Sequence, residues 1–256
     1  MNKADLAYDH ISDPNDIKEL SVVMYADSFF YGLWDSKGAL RKVGYHPLYN
    51  YPQVKQLWEF YYNLDRTQYL VATPPYVHLD ESDFEEASFD AYFKGIYDLD
   101  RVTDHGRRQD TFEFEQIMTL YFTELSGTIP IQHISTAMAD TTHASKGLSC
   151  LMTEDKLHLS LTTDAGFRMY NQYHCAHPLD SIYFFQWVFQ SFDLDAATAE
   201  FSVACAGVGM VEVVQDALER YFPKVKIQGN HLNLPESVTY APSAYYDLHL
   251  CRLCAS

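Results

Sequence analysis

The residues best equipped for chemistry stand together at Cys251-Arg252-Leu253-Cys254, with His249 two positions earlier. Thiolates one helical turn apart can exchange disulfides or hold zinc. A structural zinc needs four ligands, however, and the sequence has no second Cys-x-x-Cys pair. His174-Cys175-Ala176-His177 and His231 have no spacing that specifies closure. The expectation is a helix with two cysteines a turn apart and no metal site. Five cysteines are an odd number, and Cys150 and Cys205 lie in apolar, strand-like runs. Reduced thiols packed as small hydrophobes fit that placement.

His133 and His143 bracket a strand-to-helix junction in which Ser135 and Thr136 are natural N-caps, so capping accounts for the polarity there. No Ser, His and Asp set, Walker loop or dinucleotide fingerprint is recognisable. No catalytic residue is expected.

The elements that would position these groups show an internal repeat. At an offset of 128, Leu20–His46 lies over Leu148–His174 without a gap, and 8 of 27 positions are identical. The identical pairs include Asp27/Asp155, Gly38/Gly166, Tyr45/Tyr173 and His46/His174. In each copy, three strands are joined by tight hairpins. The first hairpin turns at Ala26-Asp27-Ser28 or Glu154-Asp155-Lys156, and the second at Ser36-Lys37-Gly38 or Asp164-Ala165-Gly166. His46 and His174 share a repeat position, which implies a structural role in both copies.

A helix follows each third strand. One starts at Pro52, with Val54, Leu57, Trp58 and Tyr61 at helical spacing. The other starts at Asp180, and its Ile182, Phe185, Val188, Phe189 and Phe192 are dense enough to predict burial on more than one side. The second copy continues with a strand to Cys205, a Gly207-Val208-Gly209 turn, a helix stopped by Pro223 and the strand KVKI.

The first copy ends less regularly. It reads either as a strand near Thr111–Phe114 and a helix ending by Gly127, or as one helix from a capping box at Asp110 and Glu113. The strand Ile131–Ile134 and a helix through Ala144 follow. Residues 65–100 have no counterpart in the second copy and read as an insertion, a hairpin around Pro74-Pro75 and an acidic helix, DESDFEEASFDAYF. Asp98–Gln109 reads as a loop. The domains are therefore an N-terminal lobe, 1–146, carrying this insertion, and a C-terminal lobe, 147–256.

The chain has 256 residues, 47% hydrophobic, with 20 Tyr and 16 Phe, enough for a large aromatic core. The formal charge is −17, from 35 acids against 18 bases. Nucleic-acid backbones and anionic membrane faces would repel such a molecule. No apolar stretch has the length of a membrane span, and residues 1–20 do not read as a signal peptide. A cytoplasmic setting without membrane insertion is expected.

A repeated βββαβα unit of this size is similar to the ribonuclease-H-like lobes of the actin-like ATPase fold, an α/β class. LSVVMYADSFFYGLWD, IQHISTA, LHLSLTTDAGFRMYNQYH and APSAYYDLHL resemble, more narrowly, an uncharacterised Bacteroidetes domain family with that fold. The resemblance implies fold, and no reaction. It also implies where ATP and Mg²⁺ would bind. Actin-like ATPases place an Asp-x-Gly turn between the first two strands of each lobe, where a carboxylate and close backbone hold phosphates and metal. Here Asp27 is followed by Ser28 and Phe29, and Asp155 by Lys156 and Leu157, so the glycines are missing. Asp164-Ala165-Gly166 spells the pattern at the wrong hairpin. Gly207 and Gly209 occupy the place of the fold's nucleoside-side glycine pair, although a strand-to-helix turn favours glycine on steric grounds alone.

Three readings follow. A non-catalytic, actin-like scaffold that binds another protein, through its acidic insertion or the cleft between lobes, fits the missing phosphate turns and needs no cofactor. A divergent ATPase would use Asp27, Ser28, Asp155, Lys156, Gly207 and Gly209. A nuclease on clustered carboxylates fits worst, because Asp27 and Asp155 lie in different lobes and the charge opposes nucleic acid.

Overall fold

Ile17–Met24 and Ser28–Asp35 are rich in valine and aromatic residues, side chains that fill a pleated, buried surface. In the computed structural model they pair antiparallel as β2 and β3. The structure describes residues 6–26, 28–47, 63–72, 75–102, 106–112, 116–123, 130–142, 147–153, 155–199, 201–205, 210–227, 232–238 and 242–253.

The first lobe is a six-stranded sheet ordered β1-β4-β3-β2-β5-β9. Its remaining strands are β1 (Tyr8–Asp9), β4 (Leu40–Pro47), β5 (Arg66–Val71) and β9 (Ile131–His133). The second lobe is a five-stranded sheet of β10 (Gly147–Met152), β11 (Lys156–Thr163), β12 (Gly166–His174), β13 (Phe201–Cys205) and β14 (Val225–Ile227). Its order is β12-β11-β10-β13-β14. Apart from β1, the two sheets have the same strand order and the same mixture of antiparallel and parallel pairs. Adding 128 to the bounds of β3 gives those of β11.

Four helices complete the described residues: α1 (Ile134–Thr142), α2 (Asp180–Ser191), α3 (Met210–Tyr221) and α4 (Tyr246–Leu253). The predicted helix at Pro52–Tyr61 lies outside them.

Several expectations are corrected. Arg66–Val71 is the fifth strand of the first sheet, parallel to β2 and β9, and not half of a hairpin at Pro74-Pro75. The insertion therefore begins after β5. It forms its own three-stranded sheet, β6-β8-β7, from β6 (Tyr76–Asp80), β7 (Gly106–Thr111) and β8 (Ile117–Thr123). Ile117–Thr123 is thus a strand, not part of a helix reaching Leu125 or Gly127. Period two explains it: Met118, Leu120 and Phe122 pack on Phe89 and Phe93, while Thr119 and Tyr121 face the other way, toward Ser135 and Asp110. Gly106–Gln109 belongs to β7 and is not a loop, and Thr111 ends that strand. The acidic segment forms two 3₁₀ turns, Glu81–Asp83 and Glu86–Phe93, and not an α-helix.

Helix α2 buries only one side, through Ser181, Phe185, Val188 and Phe189 on the second sheet. Tyr183 and Trp187 are exposed, against the expected burial on more than one side.

The lobes exchange helices. α4 follows the second lobe in sequence yet lies on β2, β3 and β5 of the first. Its Cys251 thiol approaches the carbonyls of Val22 and Gln68 at 3.5 and 3.3 Å, and Arg252 grips Glu19 through Nε at 2.7 Å and Nη2 at 3.0 Å. α1 follows β9 of the first lobe and packs on β10, β11 and β12 of the second. One apolar cluster therefore joins Val23, Phe30 and Trp34 with Ile134, Leu151, Tyr170 and Leu248.

Gly44 faces Tyr31 across the β3–β4 pair, and a methyl group there would sit 2.2 Å from Tyr31 Cε1. Tyr31 is buried and stacks on His46, so its ring has little room to move. Gly44→Ala should cost about 1–3 kcal/mol by urea denaturation. In Gly44→Ala/Tyr31→Leu much of that loss should return, a coupling readable as a double-mutant cycle. Strictly additive losses would mean that the ring does not carry the strain.

Candidate functional site

The polar groups that converge most closely lie where the inserted sheet, the β9–α1 junction and β12 meet. His78 stands on β6 opposite Thr119 on β8, and the run Ile131–His133 turns directly into α1, which brings Ser135 into the first helical turn. Ser135 Oγ lies 2.7 Å from His133 Nδ1, 3.0 Å from His78 Nε2 and 3.2 Å from Thr119 Oγ1. A hydroxyl gives one proton and accepts others. Donation from Ser135 to His133 Nδ1 and from the His78 ring N–H to Ser135 satisfies both contacts with neutral imidazoles. Burial supports this, pushing His78 from 6.5 down to about 4.

Asp110, on β7, forms the far side. Its carboxylate accepts from the His133 backbone N–H and, at 3.1 Å, from the Tyr121 hydroxyl. Burial outweighs those hydrogen bonds and raises the carboxyl from 3.8 to about 7.

The second lobe closes the junction with aromatic side chains. Tyr170 of β12 reaches His158 Nδ1 at 2.7 Å, and its ring packs 5.4 Å from Tyr76, 5.7 Å from His78 and 6.0 Å from His133. Phe167 meets Phe112 of the insertion edge-on at 4.7 Å. Gln172 Nε2 donates to the Ala72 carbonyl at 3.2 Å, joining β12 to the residue after β5.

A serine hydroxyl on a histidine nitrogen can serve as a nucleophile. Here Ser135 and His133 are fully buried beneath the insertion, so the same atoms act as a hydrogen-bonded joint between three elements. Sequence reasoning saw Ser135 only as a cap and Asp110 only as part of a capping box. It gave His78 no role, and nothing in local spacing links His78 to a serine 57 positions away.

The sequence-predicted nucleotide residues are only partly brought together. Asp27, Gly207 and Gly209 lie outside the described residues. Ser28 is buried at the start of β3, where its carbonyl accepts from Tyr25 N. Asp155 is 59% exposed on the β10–β11 turn, and Lys156 Nζ approaches it at 3.8 Å and His174 Nδ1 at 3.6 Å. Lys156 therefore faces the adjacent carboxylate. Ala72 bonds to Met24, beside the first turn, and Gln172 pairs with His158, two residues from Lys156. The Gln172–Ala72 contact therefore lies near both turns.

The other histidines and the cysteines divide. His46 stacks on Phe29 and Tyr31, whereas His174 is exposed beside Asp155, so one repeat position holds two environments. Cys251 is fully buried and its thiol is pushed up to about 12 by burial, a packed thiol and not a thiolate. Cys254, His143 and His231 lie outside the described residues. Among the described residues no group of three His, Cys, Asp or Glu is placed to hold a metal ion, and no helix is long and apolar enough to cross a membrane.

Comparison with known proteins shows the fold. A Bacteroides thetaiotaomicron protein with an actin-like ATPase fold and unknown function aligns at a TM-score of 0.64 and 11% identity, over 85% of this chain and 93% of that one. A PilM-PilN type IV pilus biogenesis complex aligns at 0.51 and 9%, over 94% and 99%. No family model matches the chain, and no curated protein does. The chain has the actin-like ATPase fold, with two ribonuclease-H-like lobes, as the sequence resemblance implied.

Proposed function

We propose that this actin-like chain is a non-catalytic scaffold of the cytoplasm whose business is binding another protein. The observation that carries the reading is the filled junction. Tyr76, His78, His133, Tyr170 and the Gln172–Ala72 bond close the lobes on one another, leaving the space between them filled by side chains at this junction. The pairing of Lys156 with Asp155 adds support, since a lysine facing its neighbour is not directed at a phosphate. That a similar fold has been solved as a two-protein complex is in keeping with partner binding.

The rival is a divergent ATPase using Asp27, Ser28, Asp155, Lys156, Gly207 and Gly209. One observation favours it: the Asp155 carboxylate is largely exposed and could meet a metal. Any ligand of the native state must raise its melting temperature by mass action. Millimolar Mg-ATP should leave the melting temperature of the scaffold unchanged. A saturable rise that Asp155→Ala abolishes would establish the rival and remove the scaffold reading.

A further inference from the structure

Helix α2 carries Leu179 at its N-cap and Tyr183 and Trp187 along the side turned from the sheet, a spacing of i, i+4 and i+8. They are 44%, 65% and 44% exposed. Residues four apart share a helix face, so the three form one stripe about 12 Å long. The stripe is braced from below. Tyr173 of the edge strand β12 stacks on Phe184 at 4.4 Å and meets Trp187 edge-on at 6.1 Å. Braced aromatics give up little side-chain entropy on burial, the property of interface anchors. A solvated helix in an acidic chain would carry charge at these positions. Apart from the stripe, the exposed positions of α2 are Asp180, Gln186, Gln190 and Ser191, so nothing basic borders it on the helix.

The charge of the chain on either side of the stripe points to what would cover it. Between Arg168 and Arg220 there is no Lys or Arg, while Asp180, Asp193, Asp195, Glu200, Glu212, Asp216 and Glu219 lie in that span. Asp180, Asp193, Asp195, Asp216 and Glu219 are exposed. Lys156, at the start of β11, faces Asp155. A second copy of this chain would bring like charge against like charge, which opposes association. A complementary partner supplies apolar side chains at helical spacing flanked by Lys or Arg.

We infer that the Leu179, Tyr183 and Trp187 stripe of α2 is a docking surface for a basic amphipathic helix of another protein. This names a surface and a partner chemistry for the scaffold reading, and it rests on that reading. The acidic insertion and the junction between lobes are not involved.

The probe is a fluorescein-labelled 18-residue peptide with leucines at i, i+3, i+4 and i+7 and lysines elsewhere, titrated with the full chain and followed by anisotropy. Controls are a scrambled isomer and a leucine-glutamate counterpart. The expected result is saturable binding of the leucine-lysine peptide that Tyr183→Ser/Trp187→Ser weakens at least tenfold. It should also weaken as salt rises, with the scrambled and acidic peptides binding far less. Both substituted side chains are exposed, so an unchanged melting temperature for the double variant would show that the loss is local. Equal binding by the double variant, equal binding of the scrambled isomer, or no binding at millimolar peptide would each overturn the inference. So would a dimer of the chain that the same double variant dissociates, since the occupant would then be a second copy. None of these outcomes depends on Mg-ATP, so the docking surface can fail while the scaffold reading stands, and the reverse.

Discussion

Trp34→Ala is expected to cost about 3–5 kcal/mol of folding stability, the range for emptying a large aromatic from a packed core. The ring is fully buried on β3. Its indole N–H donates to Ser21 Oγ at 3.0 Å, and the Arg252 guanidinium lies 5.1 Å above the ring. Alanine would leave a cavity, remove the indole donor to the Ser21 hydroxyl and remove the surface on which α4 rests its arginine. Trp34→Phe retains most of the ring and loses chiefly the hydrogen bond, worth about 0.5–1.5 kcal/mol. Urea denaturation of the three proteins separates these contributions. A loss below roughly 1.5 kcal/mol for alanine, inside the hydrogen-bond range, would show that the ring does not anchor α4.

The second large effect concerns pH. Burial raises the Asp110 carboxyl from 3.8 to about 7, so the folded chain keeps a proton that the unfolded chain releases between those values. The stabilisation is fully present below pH 3.8 and is lost as pH rises through 7. Its whole extent is roughly 4 kcal/mol, at about 1.4 kcal/mol per tenfold change in proton affinity. Asp110→Asn stays neutral throughout. Relative to the wild type, the variant should therefore gain melting temperature steadily from pH 4 to pH 8. His78 acts in the opposite sense: held down from 6.5 to about 4, it stabilises above 6.5 and the contribution is lost as pH falls through 4. It is present in both proteins and cancels in the difference. Asp140 raises the Asp110 carboxyl further, and that repulsion is absent from Asp110→Asn, so it belongs to the difference. Melting curves that run parallel across the range would mean that Asp110 is ionised in the fold at neutral pH.

What could be read from the sequence was whatever repeats or alternates locally. The 128-residue offset placed β2 to β4 over β10 to β12, because hairpins are written in consecutive residues. The fifth strand of the first sheet escaped. Arg66–Val71 is a six-residue run whose parallel partners lie far off in sequence, and the insertion separates it from β9. Ile117–Thr123 misled because Phe114, Ile117, Met118, Tyr121 and Phe122 also fall on helical spacing, and only the two-sided burial of the strand resolves the ambiguity. The junction site could not have been found at all. Its members, His78, Asp110, Ser135, Tyr170 and Gln172, come from four separate elements and share no spacing. The apolar density of α2 was legible, but the sequence could not show that half of it faces outward.

The exchanged helices set the order in which the chain can be completed during synthesis. Tyr25 of the first sheet donates its hydroxyl to Asp247, 222 positions later. At the usual ribosomal rate of about 5–20 residues per second, β2 and β3 wait roughly 10–45 s for the helix that covers them. Through that interval Val23, Phe30 and Trp34 form an uncovered apolar face on a nascent sheet. This chain should therefore lean on ribosome-associated chaperones more heavily than one whose lobes each close with their own last helix.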